Sequence, residues 1–348
     1  MKFLLSLLPA LALPLAAVAQ PVAYLSHGHT DLRMNYSAAA APRLSLTANA
    51  QPGGSYSSNQ VVLMVSEIGR FDLPPGTPFG NEGDPLWILP ESDYEGLLYL
   101  GLSAGAIAPA TFSGPLALTL KAVDQPGRTN PTTGNFFVWQ TGSFGQFDVF
   151  MNTTDGITAA DALSLSAGGH AHYNWGFSAS GLWHVTFQAS GRVSGESTNT
   201  FSAETTFAFH VLPLRPFEQW QATNWPPATP GSVIGPGADP NGDGMPNLVE
   251  YTLGRSPTAP GAARLPTARI VESGGQRYGA LTYTHMKYAT DVTCDVVATS
   301  SLSAPAWQTL TNVHSVEDLG DRLRITQRDN VPVSAGQPRF YQLQVRMN

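Results

Sequence analysis

The chain has 348 residues, 12% of them charged, a formal net charge of −7 and only three lysines, Lys2, Lys121 and Lys287. That balance excludes nucleic acid or an anionic membrane as a partner, since either requires a basic patch. Glycine (34) and proline (28) are abundant and short apolar runs alternate with turn residues, a composition that predicts an all-β protein of more than one domain.

Residues 1–19 have the form of a secretory signal peptide: Lys2 precedes an apolar run over 3–18, and Ala17-Val18-Ala19 makes a small-residue cleavage site. The run is too short and wrongly flanked to span a membrane, and no later stretch is apolar enough to do so. The expected location is therefore extracellular, secreted or in the cell envelope. Cys294 is the single cysteine, so no disulfide framework accompanies export. Its neighbours Thr293 and Asp295 point to the opposite face of a strand, which makes Cys294 a small buried apolar residue.

Residues 20–213 are expected to form an antiparallel β-sandwich. Strands are predicted over 22–26, 32–36, 60–65, 116–123, 135–140 and 145–150, with a long loop over 72–93 anchored at Trp87-Ile88-Leu89. A short helix is predicted over 158–165, with Thr158 as N-cap and Asp161 three residues on. After the turn at 178–181, Trp183, Val185, Phe187 and Ala189 share one face of a strand, while Leu182, His184, Thr186 and Gln188 share the other. A last strand runs over 202–212. Residues 214–260 are expected to be a linker, with a helix over 217–224 and a Pro/Gly segment over 226–237. Residues 261–348 then form a small β-sandwich-like domain, with strands over 278–284, 292–299, 322–327 and 340–346.

Four of the eight histidines fall in two short pieces, His27-Gly28-His29-Thr30-Asp31 and Gly169-His170-Ala171-His172-Tyr173-Asn174-Trp175. In extended chain, residues two apart point to one side, so each piece presents a pair of imidazoles, and Asp31 adds a carboxylate to the first. Neutral imidazoles suit Zn²⁺ or Cu²⁺. His27, His29, Asp31, His170 and His172 are thus the candidate ligands of a transition metal, provided that the two pieces meet. Asn174 and Trp175 are read either as neighbours of that site or as a turn residue and a core aromatic. His184 and His210 lie in strands and are given structural roles.

The second candidate site is Asp239-Pro240-Asn241-Gly242-Asp243-Gly244-Met245-Pro246-Asn247-Leu248-Val249-Glu250. Oxygen side chains occupy positions 1, 3, 5, 9 and 12 of an EF-hand-like loop, with glycine at the sharp turn of position 6. Asp239, Asn241, Asp243, the Met245 carbonyl, Asn247 and Glu250 are the expected Ca²⁺ ligands. The alternative is a polar linker whose Asp-Gly and Asn-Gly pairs only make turns. An exiting helix is predicted to end at Gly254. The sequence contains no H-E-x-x-H or phosphate-binding loop, so no catalytic residues are assigned.

The segments Gly28-His29-Thr30-Asp31 and His170-Ala171-His172-Tyr173-Asn174-Trp175-Gly176-Phe177-Ser178-Ala179-Ser180-Gly181 resemble the choice-of-anchor M, or surface-anchored protein, domain over roughly residues 20–213. The resemblance implies an exported bacterial protein and is compatible with metal handling, but it supplies no activity. The 239–254 stretch is similar to the calcium loops of dockerins and thrombospondin type 3-like linkers. One loop is present where dockerins carry two, so cohesin docking is not implied. The chain ends without a sorting motif, terminal apolar helix or basic tail. Taken together, the sequence predicts a Ca²⁺-stabilised binding protein with a histidine metal site for sequestration, delivery or structural closure. Two alternatives stand beside it: a surface adhesin or glycan binder using Trp87, Tyr94 and Trp139, and a metal-dependent hydrolase or oxidase.

Overall fold

A computed structural model describes residues 22–128, 134–261, 264–334 and 337–348; the signal-peptide segment lies outside these. The described chain is built almost wholly of β-sheet. Its N-terminal part holds three sheets around one core. The largest is seven-stranded and runs Ala23–Leu25, Val61–Val65, Thr205–Val211, Gly181–Gly191, Leu116–Asp124, Ala162–Leu165, with Thr200–Phe201 paired to its fourth strand. A five-stranded sheet runs Phe147–Asn152, Phe136–Thr141, Asn174–Phe177, Pro85–Leu89, Arg70–Asp72. The third, also five-stranded, runs His170–His172, Leu98–Ser103, Gly28–Tyr36, Leu44–Gln51, Ser55–Tyr56.

All three sheets contribute inward-facing residues to the same apolar cluster, among them Leu32, Leu100, Val138, Trp175, Trp183 and Phe209. Strict alternation decides which residues these are. In Gly181–Gly191, Trp183, Val185, Phe187 and Ala189 are fully buried, as predicted from their spacing. Among the described residues the strands pair antiparallel except at three parallel pairings, Ala23–Leu25 and Thr205–Val211 each beside Val61–Val65 and Gly28–Tyr36 beside Leu98–Ser103, with one further isolated parallel bridge between Leu44 and Ser202.

Three local expectations are corrected. No helix forms over 158–165; Ala162–Leu165 is a strand paired with Leu116–Asp124. The 72–93 stretch is not one loop, because Pro85–Leu89 is an inner strand of its sheet. Nor is 226–237 a free linker. Helix α1 (Pro216–Asn224), helix α2 (Gly231–Ile234) and helix α3 (Asn247–Leu253) are interlocked. The Gln221 amide donates to the carbonyls of Pro126 and Ile234, and Asn247 donates to those of Val233 and Gly235.

The C-terminal part has a four-stranded sheet, Thr267–Ser273, Gln276–Met286, Arg322–Pro332, Asn312–Asp318, and a three-stranded one, Gln308–Thr309, Val292–Thr299, Phe340–Met347. Asp291 ties this part to the helices, taking the Phe217 N–H at 3.0 Å and the Tyr251 hydroxyl at 2.7 Å. Phe217, Leu248, Tyr251, Met286 and Val292 form a separate apolar cluster there. Cys294 is partly buried against the C-terminal core, and burial pushes its thiol up to about 12, so it stays protonated.

Candidate metal centre

The site is made by three neighbouring strands. Leu98–Ser103 lies between Gly28–Tyr36 and His170–His172, and its register sets Gly101 directly between Asp31 and His172. On all three strands the even–odd alternation sends apolar residues to the core: Leu98, Leu100 and Leu102 of the middle strand and Leu32 are buried, and Ala171 packs against them. His29 and Asp31, Tyr99 and Gly101, and His170 and His172 therefore stand together on the outer face of the sheet. The same argument that made each histidine pair one-sided thus makes the two pairs co-facial, once a third strand joins them.

The geometry is close. His170 Nε2 is 2.8 Å from Asp31 Oδ1, His29 Nε2 is 3.4 Å from the same oxygen, and the two Nε2 atoms are 3.3 Å apart. The His29 and His172 rings lie 5.0 Å apart, centroid to centroid. One donor atom from each of His29, Asp31, His170 and His172 can be chosen so that all four fall within 4.8 Å of one another, a grouping that could hold a metal ion.

Two further observations test whether the residues fit an ion. His172 Nδ1 is buried without a hydrogen-bond partner, whereas a buried ring nitrogen is ordinarily satisfied. Burial, reinforced by the neighbouring His170 and His29, pulls the His172 imidazole down to about 4, so it is neutral and ready to donate its lone pair at pH 7. Beneath the cluster, Gly101 leaves space that no other residue could leave. A Cβ there would lie 2.4 Å from Asp31 Oδ1 and 2.8 Å from His172 Cε1. The donor set, an unpartnered nitrogen and a backbone stripped of its side chain agree.

The surroundings fix the ligands. Tyr99 stacks flat on His172, with centroids 3.5 Å apart and planes 5° from parallel. Gln140 donates to the His172 carbonyl at 2.8 Å. Trp175, fully buried, donates from Nε1 to the Leu100 carbonyl, one residue from Gly101, and Asn174 accepts the Glu91 N–H. Asn174 and Trp175 thus hold the frame of the site and do not enter it. His27 is not gathered with the others. It is exposed at a bend beside Gly28, whose φ of +79° breaks the extended geometry needed for His27 and His29 to share a side, and its Nδ1 meets only Ser26 Oγ. Tyr99 and Gly101 went unassigned in the sequence, although Leu98-Tyr99-Leu100-Gly101-Leu102-Ser103 alternates cleanly, with glycine in an outward position.

The acidic loop is arranged differently. Asp239 accepts N–H groups from Gly242, Asp243 and Gly244, and Asp243 accepts that of Met245. Asn241 donates to Glu250 Oε1 at 2.9 Å, and Arg255 contacts Asp243 and stands 3.9 Å from Glu250 Oε1. Asn247 spends its amide nitrogen on helix α2. Asn247 Oδ1 and Glu250 Oε2 are buried without hydrogen-bond partners. The glycan-stacking trio does not form a platform: Trp87 and Trp139 are buried at 7% and 3% exposure, and only Tyr94 is exposed.

No family model and no curated protein matches the chain. Among solved structures, the crystal structure of a chicken TCR is similar at 8% identity and a TM-score of 0.11, over 62% of this chain and 82% of that one. A likeness of that size carries no argument. Among the described residues, no helix is long and apolar enough to cross a membrane.

Proposed function

We propose that the protein is an exported, surface-type bacterial β-protein whose N-terminal sandwich binds one Zn²⁺ through His29, Asp31, His170 and His172. The observation that carries this is the spacing of donors around Asp31. A tetrahedral ion with bonds of about 2.0–2.1 Å separates its ligands by about 3.3 Å, and two of the three donor separations above are 3.3 and 3.4 Å. Four protein ligands make a closed, structural type of site. The ion ties a strand near the start of the domain to one near its end, so its role is closure of the domain. Export is supported by the form of residues 1–19 and by the resemblance to surface-anchored proteins.

Metal analysis of tag-free protein tests the assignment. About one zinc per chain is expected for the wild type, and none for His170→Ala. A wild type that carries no zinc or copper after reconstitution and desalting would sink it.

A second ion, Ca²⁺ at 239–250, is favoured by one specific observation: the buried, unpartnered oxygens of Asn247 and Glu250, at positions 9 and 12 of the loop. With Ca²⁺ bound, these oxygens, Asp239, Asp243 and the Met245 carbonyl would supply hard ligands, and the loop would brace the junction between the two parts. Calorimetry of the wild type with and without Ca²⁺ tests this ion separately from zinc.

A further inference from the structure

His184 and His210 lie outside the metal cluster, on the outer face of the seven-stranded sheet, where the register sets Leu182 against His210 and His184 against Ala208. Both are more than nine-tenths buried. The sandwich core does not bury them. Helices α1 and α2 and the turn between them lie over this face, and Gln221, Trp225, Pro226 and Ile234 close a cavity of about 50 Å³ whose other walls include both imidazoles and Tyr24. Among the described residues neither imidazole has a hydrogen-bond partner. A buried histidine ordinarily secures a nitrogen to a carbonyl or carboxylate. Here two of them line a cavity where a sheet meets a helical cover.

We propose that this contact is an acid-labile latch: protonation of His184 and His210 releases α1 and α2 from the sheet, and with them the C-terminal part packed on α1 and α3. Asp124 excepted, the groups facing the two rings carry no charge. From the sheet, Tyr24 meets His210 edge-on at 6.0 Å, Val62 is apolar, and Asp124 stands opposite His184 in the next strand. The Asp124 carboxyl is itself raised by burial and lies against Gly231 of α2, and it makes no ion pair with His184. From the cover, Gln221, Trp225 and Ile234 are uncharged. Glu218 of α1 is turned instead toward Arg128, Arg215 and the backbones of Gly127 and Gly181. Burial accordingly holds both imidazoles near 4, with His184 further lowering His210.

With the cover open the rings titrate near 6.5. The closed state keeps its full advantage above that pH and loses it as the pH falls toward 4. Each ring shifts the balance toward the open cover by about 30-fold between pH 7.5 and pH 5.

Amide exchange over residues 216–234, corrected for the intrinsic pH dependence of exchange, reads the latch directly. The full chain is used after EDTA treatment, so that loss of ions from the other sites plays no part. Protection of the wild type is expected to fall at least 30-fold from pH 7.5 to pH 5. In His184→Gln/His210→Gln, whose amides carry no charge, it should change by less than about 3-fold. The single variant His210→Gln, expected to lie between, serves if the double variant does not fold, as judged by near-UV circular dichroism at pH 7.5. Equal wild-type protection at the two pH values overturns the proposal, and so does an undiminished acid response in a folded variant.

Discussion

The histidine cluster and the 239–250 loop are both collections of metal-type side chains, assembled in opposite ways. Sheet register brings His29 and Asp31 to His170 and His172 from far along the chain, and it leaves donors facing one another with a ring nitrogen unpartnered. The acidic loop is contiguous, and most of its oxygens are already occupied: by its own N–H groups, by the Asn241 amide and by Arg255. A guanidinium beside Asp243 and Glu250 does part of a cation's electrostatic work. A motif of high sequence specificity is therefore partly self-neutralised, whereas a looser pattern yields the more convergent site.

That contrast can be tested from its strongest point downward. Removing a ligand should have the largest effect: Asp31→Ala, which deletes the oxygen shared by His29 and His170, is expected to weaken zinc binding by about 100-fold or more, measured by competition with a chromophoric chelator. Unchanged affinity would mean that Asp31 only buttresses the imidazoles. Next comes the floor. Gly101→Val puts a branched side chain where even a Cβ meets Asp31 and His172. It should destabilise the metal-free protein by about 1–3 kcal/mol in denaturant melts and also impair zinc binding, whereas Gly101→Ala should do less of both.

The acidic loop should respond more modestly. Ca²⁺ is expected to raise the melting temperature of the wild type by a few degrees, on the scale of roughly 1–2 kcal/mol, and Asp243→Ala should abolish the rise. Arg255→Ala should lower the calcium-free melting temperature and enlarge the calcium-induced shift, because the internal cation is gone. If Arg255→Ala leaves the shift unchanged, the guanidinium and the ion are not in competition. The smallest effect is assigned to Tyr99→Ala. Loss of its stacking on His172 should cost about 0.5–1.5 kcal/mol of stability while zinc affinity stays within a few-fold.

Much of this was legible in the sequence for a plain reason: period-two patterns name faces. The fully buried set Trp183, Val185, Phe187 and Ala189, and the pairing of His170 with His172, both follow from alternation. What alternation cannot name is the neighbour. Nothing local says that Leu98–Ser103 runs between the two histidine strands, so Gly101 and Tyr99 were missed. Likewise, alternation does not say that α1 and α2 cover Leu182 and His184 on the outward face of Gly181–Gly191. The predicted helix over 158–165 failed through a related ambiguity. Asp161 accepts the Thr158 N–H as a helix cap would, but its other oxygen takes the Asn152 N–H. The pair closes a turn, and the following residues join a sheet edge instead. Of the two tryptophans offered as sugar platforms, Trp87 points into the main sandwich core and Trp139 packs under Phe79 on the outer face of its sheet.

The histidine strand has a further consequence because of where it stands. It is three residues long, pairs only with Leu98–Ser103, and so forms the outer border of its sheet. At Tyr173 the chain leaves that border and enters the interior of the adjacent sheet as Asn174–Phe177. An unpaired border is a template on which a strand from another molecule can grow. An ion held by His170 and His172 places positive charge at that border and pins its short strand in register. Without the proposed ion the same border would be a loosely held edge, so a metal that closed the domain would also guard the protein against joining itself.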